Sequence, residues 1–133
     1  MTTCRFALIL GLIFVAIGVA GFIPALAHSA PGAHLGPNDD LLFGQFPVNG
    51  LHNAVHVLFG LWGLAASRAT AHALSYARAI AIVYALLALA GVIPGLQTGF
   101  GLIPLYAKNV WLHGLLALTG AYFGWANRDP SRA

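Results

Sequence analysis

Charge is what this sequence has least of. Asp, Glu, Lys and Arg make up 7% of its 133 residues, against about 25% in a typical soluble domain. The charged positions are Arg5, Asp39, Asp40, Arg68, Arg78, Lys108, Arg128, Asp129 and Arg132. So few charges, with 59% hydrophobic residues, leave too little polar surface to clothe a soluble fold. Cysteine is almost missing as well. Cys4 stands alone, which excludes an internal disulfide and any CxxC chemistry. Hydrolase triads, phosphate-binding loops and dinucleotide fingerprints are missing too. The isoelectric point near 9.5 does not indicate nucleic acid, because the six basic residues are scattered and form no patch.

What is present is long apolar sequence, with a mean hydropathy of +0.83. A spanning helix needs roughly 20 apolar residues. Phe6 to Leu26 and Ala79 to Leu96 meet that length. Leu51–Ala66 and Val110–Ala126 are shorter, unless their helices begin earlier, near Pro47 and Pro104; proline is tolerated in a first helical turn. Four transmembrane helices are therefore expected. Arg5, an apolar run and Ala25-Leu26-Ala27 also resemble a signal peptide. However, the run exceeds the about 7–15 residues of a signal core, so a retained helix is expected. With four crossings, Arg5, Arg68, Arg78, Arg128 and Arg132 share one side and only Lys108 lies opposite. The positive-inside rule places both termini in the cytoplasm. The expected location is the bacterial inner membrane, as a multi-pass protein.

The chain repeats itself. AGFIPAL (20–26) recurs as AGVIPGL (90–96), and FGQFPVNGLHNAVH (43–56) as FGLIPLYAKNVWLH (100–113). The shared skeleton is AGxIPxL, a loop, then FGxxPx8H. Phe43, Gly44, Pro47, His56 and Gly63 align without a gap on Phe100, Gly101, Pro104, His113 and Gly120. Each unit holds two helices, so both enter the membrane from the same side as parallel repeats about a pseudo-two-fold axis. The expected architecture is all-α: an integral membrane four-helix bundle of two parallel helical-hairpin repeats in one domain, 1–133. Repeat 1 runs over about 5–66, a cytoplasmic connection over 67–77, and repeat 2 over about 78–126. If the helices start near the two prolines, His56 and His113 lie at one depth, about 13 Å along each helix.

These paired motifs resemble a bacterial family of small four-helix membrane proteins catalogued only as a domain of unknown function. The resemblance covers about Phe6 to Trp125 and is most specific in LFGQFPVNGLHNAVH and in the Asn109/His113 pair. It implies the fold and a membrane location, and no activity. It also implies a small polar or acidic residue before Asn109, where this chain has Lys108.

The polar residues inside the apolar runs are the candidate site: His52, Asn53, His56, Asn109 and His113. His52 and His56 share a helix face, as do Asn109 and His113. The plain reading is an interhelical hydrogen-bond cluster holding the repeats in register. The sharper reading is a ligand site. His52, His56 and His113 offer three imidazoles to zinc or copper, or His56 and His113 ligate a haem or chlorin across the pseudo-two-fold. A proton- or quinone-linked role lacks an embedded acidic or basic partner. His28 and His34, with Asp39 and Asp40, are read as a solvated loop, and His72 as an interfacial residue. Gly60, Gly63, Gly120 and Gly124 let helices approach closely, within the bundle or between chains.

No metal, cofactor or catalytic role is expected. The partners are the lipid bilayer, other membrane subunits or a second copy, and not nucleic acid. The expected function is a non-catalytic accessory or scaffolding subunit of a membrane assembly. The alternatives are a haem-, chlorin- or metal-binding protein using His56 and His113, and an oligomeric transporter or channel.

Overall fold

The structure is a computed structural model that describes residues 1–29, 36 and 38–127. His34, Arg128 and Arg132 lie outside the described residues. The fold is mostly helical. Its helices are α1 (Thr3–Ala20), α2 (Gly50–Ala66), α3 (Thr70–Val92) and α4 (Lys108–Ala121), the last running on into a π-helical turn, Tyr122–Ala126. Two of them, α1 and α3, are long and apolar enough to cross a membrane, with mean hydropathies of 2.3 and 1.8.

The all-α expectation needs correcting. Three short strands, β1 (Ala27–His28), β2 (Asp40–Leu42) and β3 (Phe46–Val48), form an antiparallel sheet in that order. Leu41 pairs with Pro47 and Ala27 with Leu42. Pro47 therefore lies in an edge strand, where a missing N–H is tolerated. It does not open α2, which begins at Gly50 behind an Asn49 cap.

The repeated motifs now have physical explanations. AGxIP stops a helix: α1 ends at Ala20 and α3 at Val92, because a residue before proline is driven out of the helical region. The Phe-Gly pair makes a tight turn. Phe43 and Gly44 have φ of 52° and 66°, and Phe100 has φ of 59° and Gly101 of 82°. The turns close through Gln45 N–H to Leu42 O at 3.0 Å and Leu102 N–H to Gly99 O at 3.2 Å. Two successive left-handed residues define the turn that suits a β-hairpin, and phenylalanine is an unusual choice for the first.

The connection expected over 67–77 is mostly helix, since α3 begins at Thr70 and the link is Ser67–Ala69. Near that link the first residues of the chain meet the π-helical turn and Asn127. Asn127 donates to the Met1 carbonyl at 3.2 Å, Thr3 to the Phe123 carbonyl at 3.5 Å, and the Cys4 sulfur lies 3.8 Å from the Thr70 hydroxyl. The sheet occupies the opposite end.

The core lies along α1 and α3. Buried on α1 are Thr3, Phe6, Ala7, Leu10, Gly11 and Phe14; buried on α3, at one constant offset, are Ala73, Tyr76, Ala77, Ile80, Ala81 and Tyr84. Gly63 of α2 and Gly120 of α4, matched in the repeat alignment, make corresponding contacts. A Cβ on Gly63 would lie 3.0 Å from the Ala7 carbonyl, and one on Gly120 2.9 Å from the Ala77 carbonyl. Only glycine allows such backbone approach. Gly60 meets Gly11 and Val15, and Gly124 meets Arg78. All four predicted packing glycines thus serve contacts inside the chain.

Candidate functional site

The polar cluster gathers where the sheet meets the helices. Asn49 starts α2: its side-chain oxygen accepts from the His52 N–H at 2.9 Å, filling a helix-terminal donor. Its amide nitrogen donates to Asp39 Oδ1 at 3.1 Å and to the Leu102 carbonyl at 3.0 Å. Tyr106 takes the other oxygen of the same carboxylate, donating to Asp39 Oδ2 at 2.8 Å, and accepts from the Gly36 N–H at 3.2 Å. Asn49 and Tyr106 occupy corresponding positions of the two FGxxP motifs, and one aspartate joins them. Partial burial raises the Tyr106 hydroxyl above its ordinary value of 10.0, and the neighbouring Asp39 carboxylate adds to the rise while the Gly36 amide opposes it.

Deeper in, Asn109 is fully enclosed. Its amide nitrogen donates to the Pro47 carbonyl at 2.7 Å and to the Pro104 carbonyl at 2.9 Å. Each proline interrupts the chain before a helix, and each leaves a carbonyl that one side chain serves. Lys108, the first residue of α4, donates to the Gln45 side chain.

The imidazoles come next. His52, His56 and His113 are all buried. His52 stacks on His56 at 4.5 Å between ring centroids and meets His113 edge-on at 6.1 Å. His56 packs on Phe14 of α1 at 5.4 Å, and His113 on Tyr84 of α3 at 5.2 Å. The sequence-predicted residues His52, His56, Asn109 and His113 are thus brought together. Asn53 packs elsewhere, against Gly21 at the end of α1. Among the described residues, no three His, Cys, Asp or Glu side chains form a group that could hold a metal ion.

Among the described residues, four buried polar atoms have no hydrogen-bond partner: His52 Nδ1, His113 Nδ1, Asn53 Oδ1 and the Tyr76 hydroxyl. Two of them belong to histidines that line a cavity of about 210 Å³. Its other walls are Ile13 and Ile17 of α1, Leu42, Phe43, Phe46 and Val48 of the sheet, and His56, Asn109 and Leu112.

At the other end, Arg78 Nε donates to the Gly124 carbonyl at 3.1 Å and the guanidinium lies 5.6 Å from the Trp125 ring. Gly124 lies in the last turn of its helix, which ends at Ala126; carbonyls there have no intrahelical donor, and Arg78 satisfies one of them.

Sequence reasoning missed Asp39, Asn49 and Tyr106 as a latch. One signal was available for Asn49, which is a favoured helix cap lying just before an apolar run. Asp39 and Tyr106 meet only through tertiary folding.

No curated protein and no solved structure is similar enough to this chain to count as a match. The model of one family, described as a domain of unknown function (DUF4383), matches residues 5–126. That span holds all but the first two residues of α1, the other three helices, the sheet, the latch and the buried imidazoles, and the chain belongs to that family.

Proposed function

We propose that this chain is a non-catalytic, four-span protein of the bacterial inner membrane, built of two parallel hairpin repeats with both termini cytoplasmic. In this reading it serves as an accessory or scaffolding subunit of a larger membrane assembly. The observation that carries the membrane placement is the distribution of exposed apolar side chains. Leu8, Ile9, Leu12 and Ile13 of α1, Leu58, Leu61 and Trp62 of α2, Ile82, Leu86 and Leu89 of α3, and Leu115 and Leu118 of α4 are exposed. The polar residues are inside instead. A water-soluble protein rarely exposes apolar surface on that scale, whereas hydrocarbon solvates it. On this placement α2 and α4 also span, α4 with help from its π-helical turn.

The repeat reading is supported by the constant offsets in burial, in the glycine contacts and in the Phe-Gly turns. Sidedness is supported by charge, with Arg5, Arg68 and Arg78 toward the end where Met1 meets Asn127 and Asp39, Asp40 and Lys108 toward the sheet. The accessory role is supported by the way the embedded polar groups are used. Asn109 is committed to two backbone carbonyls, and the three imidazoles pack on one another and on Phe14 and Tyr84. Such a set works as a joint between hairpins.

Purification in mild detergent tests this reading. One defined membrane protein is expected to co-purify in fixed stoichiometry, with no visible chromophore. A Soret band or a stoichiometric metal, lost in His56→Ala, would instead establish the cofactor-binding alternative. The cavity volume of about 210 Å³, below the about 300–1,000 Å³ of typical ligand pockets, weighs against haem or chlorin. Solute flux in proteoliposomes would establish the channel alternative.

A further inference from the structure

We propose that the seam between α1 and α4 holds one acyl chain of an outer-leaflet phospholipid, with the lipid phosphate at Lys108. Three observations carry this.

The first is a break in the internal symmetry. The repeat alignment places Phe59 and Trp62 of α2 opposite Leu116 and Thr119 of α4. In the seam between α2 and α3 the two rings fill the space. Trp62 meets Tyr76 edge-on at 5.2 Å, and Phe59 meets Tyr84 at 6.1 Å. The α1–α4 seam has the smaller pair instead, and it stays open. Thr119 turns its hydroxyl back to the Leu115 and Leu116 carbonyls, 3.0 Å from each, so its polar group is already satisfied by its own helix.

The second is the shape and chemistry of the gap. A cavity of about 200 Å³ lies between Ile9 and Ile13 of α1 and Thr119 of α4. The cavity of about 210 Å³ under the sheet also has Ile13 as a wall, so the two lie end to end along one pair of helices. From Asn109 in the upper cavity to Thr119 in the lower is about 15 Å at 1.5 Å per residue. That is half of a hydrocarbon core of about 30 Å, the depth of one leaflet. The walls are almost wholly apolar, which suits a hydrocarbon chain. Ile9 and Ile13 are also exposed, so the gap opens sideways onto the face that meets lipid. An empty gap forfeits dispersion contacts along its walls, and an acyl chain restores them.

The third is charge at one end. Among the described residues, Lys108 is the only lysine or arginine at the sheet end. It is exposed and donates to Gln45 in the turn between β2 and β3. The next residues, Asn109 and Phe46, line the upper cavity. Lys108 has three donors, so it can hold a phosphate at the rim. The opposite end is closed by Phe123, which stacks on Phe6 at 4.4 Å. The chain therefore enters from the Lys108 end.

The site goes beyond the scaffolding role and rests on the membrane placement.

The test uses the full chain, purified in mild detergent and stripped of lipid. Dioleoyl phosphatidylglycerol is added back and its retention is read by native mass spectrometry. One molecule per chain is expected to stay bound. Dioleoylglycerol, with the same chains and no phosphate, is expected to bind about fivefold more weakly. Lys108→Gln is expected to remove that difference and Arg5→Gln to leave it. Thr119→Trp, which copies Trp62 into the open seam, is expected to abolish retention of both lipids. Position is read on the unaltered chain, with phosphatidylglycerol carrying a diazirine midway along one acyl chain. Crosslinks are expected to concentrate on Ile13 and Thr119 over Leu58 and Leu86, which are exposed elsewhere. No retention, even crosslinking, retention by a folded Thr119→Trp chain, or a phosphate preference that follows Arg5 would each overturn the proposal. Sidedness is read by cysteine labelling without added lipid, so a failed retention assay removes the site and leaves the membrane placement standing.

Discussion

His56 and His113 occupy matched settings without stacking on each other. Each lies against an aromatic ring of its own hairpin, His56 on Phe14 at 5.4 Å and His113 on Tyr84 at 5.2 Å. Those two rings in turn stack at 5.6 Å. His52 touches both histidines and completes the chain of rings. Matched settings should give matched energetics. His56→Ala and His113→Ala are each expected to destabilise the protein by about 2–4 kcal/mol, as large-to-small core changes do. The two costs should agree within about 1 kcal/mol, measured by unfolding in mixed detergent micelles.

Asn109 donates to two proline carbonyls, those of Pro47 and Pro104. Asn109→Leu fills similar volume and removes both bonds. The expected cost is about 1–3 kcal/mol per carbonyl left unpaired, lower where bilayer neighbours offer substitutes. Hydrogen exchange should show the strand pairing around Pro47 and the turn before α4 loosening together.

Gly63 and Gly120 face the carbonyls of Ala7 and Ala77 at closely similar distances. Gly63→Val and Gly120→Val should each force the paired helices apart and cost about 1–3 kcal/mol by overpacking. Gly114 provides the control, because a Cβ there would meet nothing within 4 Å. Gly114→Ala should be neutral or stabilise by up to about 1 kcal/mol through helix propensity. Thermal unfolding of the three variants in one detergent separates contact from propensity.

Tyr106→Phe removes one of the two side-chain donors to Asp39 and is expected to cost about 0.5–1.5 kcal/mol. Because Tyr106 has its hydroxyl raised by partial burial and by Asp39, the fold favours the neutral phenol. Its contribution is complete below the ordinary value of 10.0 and is lost as pH rises through the higher folded-state value. The stability gap between the native chain and Tyr106→Phe should therefore hold steady from about pH 7 to 9 and narrow in stronger alkali. A gap that changed near neutrality would assign the effect to another group.

Much of this architecture could be read in advance. Apolar runs located the helices, since lipid or core burial demands them whatever the neighbours are. The paired motifs led to His52, His56, Asn109 and His113, because polar residues in such runs have few places to go. The β-sheet was not legible. Its strands are two or three residues long, too short for alternation to register, and Pro47 read as the start of a helix when it marks an edge strand. The Phe43 and Phe100 turns were hidden too, because phenylalanine seldom adopts positive φ. Asn53 was grouped with the histidines by sequence proximity, yet helical rotation turns it toward Gly21. Arg78 was legible only as a charge on one side of the membrane, while its partner, the helix-end carbonyl of Gly124, is met only through tertiary folding.

The most direct test of the central claim, four crossings with the imidazole-rich end facing outward, is cysteine accessibility in intact bacterial cells. The native Cys4 is first replaced by serine. Single cysteines are then placed at Ser29 beside the sheet, at Gln97 after α3 and at Ala69 between α2 and α3, all exposed positions. A membrane-impermeant maleimide should label Ser29→Cys and Gln97→Cys from outside and reach Ala69→Cys only after the cells are opened. Labelling of all three from one side, or of Ser29→Cys and Gln97→Cys from opposite sides, would contradict the four-span arrangement.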